Sequence, residues 1–189
     1  MTSTVLRFYE LAAGEFDRRV RAVGDGDWGG PTPCTTWDVR TLVNHIVNEC
    51  LWVEPLVAGS TIAEVGDRFD GDVLGDDAVQ SWVDAAASAR VALTADGALI
   101  RTVHLSFGDT DAEDYAWQLV SDLTLHAWDL ARSIGADDTL DPELVDAVTA
   151  RLEPARDMLA ASGVFGSPIP VPDDADAQTK LLAIVGRTS

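Results

Sequence analysis

Between Asp111 and Ile134 the chain places Tyr115, Leu119, Leu123, Leu130 and Ile134 at helical spacing and then meets Gly135. This pattern predicts one long amphipathic helix ending on a left-handed glycine cap. Such a face has to be buried against other elements. Two residues disturb it. Asp122 and His126 continue the line of Tyr115 and Leu119 on the inward side, where a carboxylate is costly unless it is paired or bound to a metal.

The partners for that face are also helical. Leu6, Leu11, Phe16 and Val20 predict a helix over about Ser3 to Val23, and the Gly- and Pro-rich stretch Gly24 to Cys34 ends it. A second helix is expected from Thr35, with Thr35 as cap and Asp38 three residues on, through Leu42, Val43, Ile46 and Val47 to a stop at Gly59. Pro55 weakens its last turn. An acidic, Gly-rich loop spans Gly66 to Gly75, and a third helix is expected over Asp77 to Ala95. Ala98 to Phe107 reads as a short extended piece without a second strand. After the strongest helix, Asp141 caps a fifth with Pro142 at its first position, running to Gly163. Gly163 to Pro172 runs extended, and a short helix over Ala177 to Val185 closes the chain. Four long helices without a sheet describe an all-α four-helix bundle with additional short C-terminal helices. The 189 residues suit a single domain over 1–189.

Composition narrows the function classes. The net charge of -19 repels phosphate backbones and anionic lipid, which excludes nucleic acid and membrane surfaces as expected partners. No apolar run approaches the roughly 20 residues needed to span a bilayer. The N-terminus lacks a basic region followed by an apolar one, and two cysteines, Cys34 and Cys50, make no disulfide framework. A cytoplasmic location with reduced thiols is the expectation.

With three histidines, each can be weighed. His126 follows Asp122 by four residues, so both stand on one helix face, as in helical metal sites. The pair also reads as a structural Asp–His hydrogen bond. His45, among Leu42, Val43, Ile46 and Val47, adds a second imidazole from a second helix. Two His and one carboxylate from two helices are how bundles assemble metal sites, and three protein ligands leave a position open. Glu49, one turn after His45, is a further ligand, a nearby base or a solvated residue. Asp129 either orients His126 or pairs with Arg132 at the surface. His104 precedes LSFG in an expected loop and is not assigned to the site. Cys34 stands near a helix start, where a thiolate gains stability, but a small buried residue is the simpler reading. Trp37, Trp52, Trp117 and Trp128 read as core packing. P-loop, Rossmann and GxSxG motifs are absent.

WGGPTPCTTWDVRTLVNHIV (Trp28 to Val47) and DLTLHAWDLARSIG (Asp122 to Gly135) resemble the two signatures of an actinobacterial branch of the DinB-like superfamily. That branch includes the N-terminal domain of mycothiol-dependent maleylpyruvate isomerase. GVFGSPIPVPDDADAQTKLLAIVGR (Gly163 to Arg187) resembles the C-terminal stretch of small metal-binding members. The resemblance implies a DinB-like bundle with zinc, or alternatively nickel, held by His45, Asp122 and His126. Asp122 stands where the isomerase domain has Glu, one methylene longer.

The resemblance further implies a metal-dependent thiol transferase or thiol-dependent isomerase, with a mycothiol-type thiol cosubstrate and a small electrophile as partners. The alternative is a non-catalytic metal-binding protein for sensing, storage or docking. A homodimer is compatible with either.

Overall fold

The computed structural model describes residues 3–188, which form two compact units, one ending at Ala136 and one beginning at Asp137. In the first, α1 (Thr4–Val20), α2 (Val39–Val57), α4 (Ala78–Thr94) and α5 (Ala112–Ile134) are the four long helices. A one-turn α3 (Ile62–Val65) and an antiparallel hairpin of β1 (Thr102–Leu105) and β2 (Gly108–Asp111) lie in the connections.

The principal packing pairs are α1 with α5, α2 with α4, α2 with α5, and α1 with α4. The helices therefore follow one another around the bundle as α1, α5, α2, α4. Chain neighbours α1 and α2 lie across the bundle from each other, as do α4 and α5. Each diagonal step needs a long link. Residues 21–38 make the first, and residues 95–111, with a 3₁₀ turn and the hairpin, make the second. The hairpin corrects the expectation of a single extended piece. Thr102 pairs with Asp111 and Leu105 with Gly108, and Val103 is fully buried.

Phe16 packs against Trp82 at 4.8 Å, and Phe8 against Trp117 at 5.3 Å. The Trp82 indole donates to Asp17 at 3.0 Å, and the Tyr9 hydroxyl to the Ala86 carbonyl at 3.0 Å. Trp82 and Tyr9 thus find partners for their polar ends as they enter the interior. Helix α5 is buried on nearly every side from Tyr115 to Ala131 and ends on Gly135 in the left-handed conformation, φ 66°.

Helix α2 starts three residues later than expected. Its cap is Asp38, whose carboxylate accepts the Thr41 amide at 2.8 Å, and not Thr35. The helix carries through Pro55 to Val57, since a proline there forfeits only one bond of the last turns. A full capping box forms instead at Thr61 and Glu64, where it starts α3.

In the second unit α6 (Pro142–Leu152) opens as expected on Asp141, which accepts the Glu143 amide at 2.9 Å. The expected single helix to Gly163 is broken at Pro154 by a 3₁₀ turn and resumes as α7 (Arg156–Ser162). Helix α8 (Ala177–Ile184) packs on α6. The loop backbone crosses close beneath it: a Cβ on Gly186, φ 75°, would stand 2.7 Å from the Gly166 backbone. Among the described residues no helix is long and apolar enough to cross a membrane.

Candidate metal centre

Packing of α2 on α5 brings His45 against Asp122. His45 Nε2 lies 2.9 Å from Asp122 Oδ2, and His126 Nε2 lies 3.4 Å from Asp122 Oδ1. The two rings meet edge to face with centroids 5.1 Å apart. One donor atom from each of the three residues lies within 4.8 Å of the others. Two imidazole nitrogens and a carboxylate oxygen directed at one another match the donor chemistry of a divalent ion such as zinc or nickel, so the residues fit the metal. The His45 and Asp122 side chains are 28% and 25% exposed, against 8% for His126, so the group opens on one side.

The electrostatics follow from this crowding. Burial alone would raise the Asp122 carboxyl. The charge of His126, with hydrogen bonds from His126 and His45, outweighs it and holds Asp122 well below the usual carboxylate range. Burial would lower His126, but Asp122, Asp129 and Cys34 together lift it well above the ordinary imidazole value. Burial, then the charge of Asp122, pushes Glu49 up, against a smaller pull from the two histidines. Glu49 Oε1 lies 4.0 Å from His45 Nδ1, at the rim of the group.

On its other side, His126 Nδ1 stands 2.9 Å from Asp129 Oδ2. Asp129 is fully buried, so it meets His126 in the interior and not at the surface, and the Arg132 guanidinium lies over the Trp128 ring. Cys34 corrects the reading as a small buried apolar residue. It is half-buried, precedes the α2 cap by four residues, and sets Sγ 3.4 Å from Asp129 Oδ2 and 3.9 Å from His126 Nδ1. Cys34, His126 and Asp129 form a second group with metal-ligand spacing.

Trp37 also departs from expectation. It lies over both site histidines, 4.8 Å from the His45 ring and 5.5 Å from the His126 ring, and so walls the site instead of packing the core. Trp117 and Trp128 are buried as expected. The one available signal was proximity: Cys34 and Trp37 fall in the turn that leads into the His45 helix. His104 stays apart, on β1 with Asp109 at 2.7 Å.

The loop from Gly66 to Gly75 is strapped along one stripe of α2. Arg40 donates to Asp72 and to the Gly75 carbonyl. Asn44 holds the Gly71 carbonyl and the Val73 amide, and Asn48 holds the Phe69 carbonyl. Trp52 closes the stripe against the Phe69 ring at 5.6 Å. These positions recur every four residues, so one helix face carries the whole loop beside His45.

Residues 9–131 match the family model described as the mycothiol maleylpyruvate isomerase N-terminal domain. Two uncharacterized proteins of Mycobacterium tuberculosis, MT0763 and Rv0738, are 33% identical to this chain over 97% of it and 97% of their own length. Among solved structures, a crystal structure of mycothiol-dependent maleylpyruvate isomerase covers 78% of this chain and 68% of its own, with TM-score 0.59 and 17% identity. A histidine-to-alanine mutant of that isomerase gives TM-score 0.62 at the same coverage and identity. At that identity the likeness is one of fold.

Proposed function

The chain belongs to the mycothiol maleylpyruvate isomerase N-terminal domain family and has its DinB-like four-helix fold; from that premise we propose that it is a divalent-metal-dependent enzyme. It uses a low-molecular-weight thiol of the mycothiol kind, as an isomerase or S-transferase acting on small electrophiles. The carrying observation is the convergence of His45, Asp122 and His126 from two helices on a side that stays partly open.

These three residues would hold the metal, zinc in first place and nickel as the alternative. When bound, the metal lowers the pKa of a thiol, ordinarily about 8.5, and so supplies a thiolate nucleophile near neutral pH. Two neutral imidazoles and one carboxylate would leave about +1 charge at the centre, which favours the anionic sulfur. Trp37 covers one side of the two imidazoles, and the less water reaches the centre the stronger that attraction becomes. Glu49, at the rim with its carboxyl pushed up, is placed to take the proton that the thiol gives up. Cys34 and Cys50 form no disulfide, which suits a reducing compartment, the cytoplasm.

Metal analysis of the purified protein, followed by thiol titration, tests this reading. Stoichiometric zinc is expected in the parent chain and none after His45→Ala or Asp122→Ala. A parent chain that takes up neither zinc nor nickel defeats it. A metallated protein that binds thiol and conjugates none of a panel of electrophiles favours the non-catalytic alternative.

A further inference from the structure

Two donor groups share His126, and it cannot serve both as a neutral ligand. A neutral imidazole carries one N–H and one lone pair. We propose that Asp129 and Cys34 act as positioning residues that reserve the Nδ1 side of His126, so that the ring offers only Nε2 to a metal and Cys34 is not itself a ligand. This rests on the metal-binding reading above.

The geometry separates the two sides. Nδ1 is 2.9 Å from Asp129 Oδ2, the distance of a full hydrogen bond from an N–H to a carboxylate. With the proton on Nδ1, the lone pair sits on Nε2, the nitrogen that faces Asp122. Asp129 is fully buried, and a buried carboxylate has to be held by donors. The Cys34 thiol at 3.4 Å supplies another to the same oxygen. A metal among Cys34, His126 and Asp129 would displace both hydrogen bonds. It would also set a thiolate against a buried carboxylate. A metal at His45, Asp122 and His126 leaves both bonds intact and uses the more exposed carboxylate.

Cys34 is also fixed in place before any metal arrives. Its amide donates to Thr32 Oγ1 at 3.1 Å, the Thr32 hydroxyl donates to the Trp37 carbonyl at 2.9 Å, and the Trp37 amide donates to the Cys34 carbonyl at 2.8 Å. The turn that aims Sγ at Asp129 is thus the same turn that lays Trp37 over both imidazoles.

Cobalt(II) titration followed by absorption decides the matter, because cobalt reports both affinity and ligand type. The parent chain should bind cobalt without a sulfur-to-cobalt charge-transfer band. Asp129→Asn, of equal size, should weaken binding by about 10- to 100-fold, the usual effect of removing a partner behind a ligating histidine. Cys34→Ser keeps a donor toward Asp129 and should stay near the parent, with Cys34→Ala weaker than Cys34→Ser. Circular dichroism of each variant separates misfolding from loss of positioning. Nitrogen-15 shifts of the zinc-loaded parent, which need no variant, should show His126 protonated at Nδ1.

Unchanged cobalt affinity in Asp129→Asn overturns the positioning role while leaving the metal reading in place. A charge-transfer band that Cys34→Ser abolishes makes Cys34 a ligand and overturns the assignment. No uptake by the parent chain removes both.

Discussion

The segment from Asp122 to Asp129 on α5 and the unit that begins at Asp137 use polar side chains in opposite ways. On α5, His126 and Asp129 are buried, and with Asp122 and His45 they bond to one another across or along helices. In the second unit the buried side chains among the described residues are apolar. Its polar groups there serve the backbone. Asp141 and Asp176 cap helices, and Gln178 accepts the Leu140 amide and donates to the Asp138 carbonyl. Caps repay their own desolvation by satisfying helix ends. A buried Asp–His network is a weak way to gain stability, so its presence singles this segment out as the candidate site.

Replacing His126 by Ala should have the largest effect and sharpens the contrast most. It removes a proposed metal donor and takes the imidazole away from a fully buried carboxylate, which costs about 3–5 kcal/mol. Urea unfolding measures the cost, and a loss below about 1 kcal/mol would mean that the network is not buried in solution.

In the second unit the sensitive point is backbone contact. Gly186→Ala places a Cβ against Gly166 at a positive φ and should cost about 1–3 kcal/mol. Hydrogen exchange should quicken in α8 while zinc content stays at the parent level. Loss of metal in this variant would break the comparison between the two regions.

The smallest effects belong to the caps and should be alike in the two regions. Asp38→Ala and Asp176→Ala should each cost about 1 kcal/mol by thermal melting. Hydrogen bonds from Thr41 hold the Asp38 carboxyl below the usual carboxylate range, and those from Thr179 do the same for Asp176. Because the folded value is the lower one, each contribution is complete above the ordinary carboxylate range. It is lost as the pH falls through the depressed folded value. Asn at either position should retain the cap while flattening that acid limb of the stability curve.

Much of the frame could be read in advance for local reasons. The period of α5, its stop at Gly135, the Asp141–Pro142 start and the Gly-rich break after α1 each involve residues a few positions apart. The misses were local as well. Thr61 and Glu64 form a capping box that was not anticipated, and Pro154 splits a helix, and both signals were present in the chain. The hairpin was harder. Thr110 and Asp111 had no apolar alternation to announce a strand, and they pair because β1 is at hand.

By itself, the sequence determined that Asp122 and His126 share one face, since helical spacing alone sets that. It also supplied His45 as a candidate, because mid-helix histidines on apolar faces are few here. Only the tertiary structure decided that His45 reaches Asp122, that Trp37 reaches the His126 ring, and that Cys34 stands behind His126. Those contacts join residues 77 to 95 positions apart. No helical period reaches that far, so they depend on which helices pack together and on the path of the loop between α1 and α2.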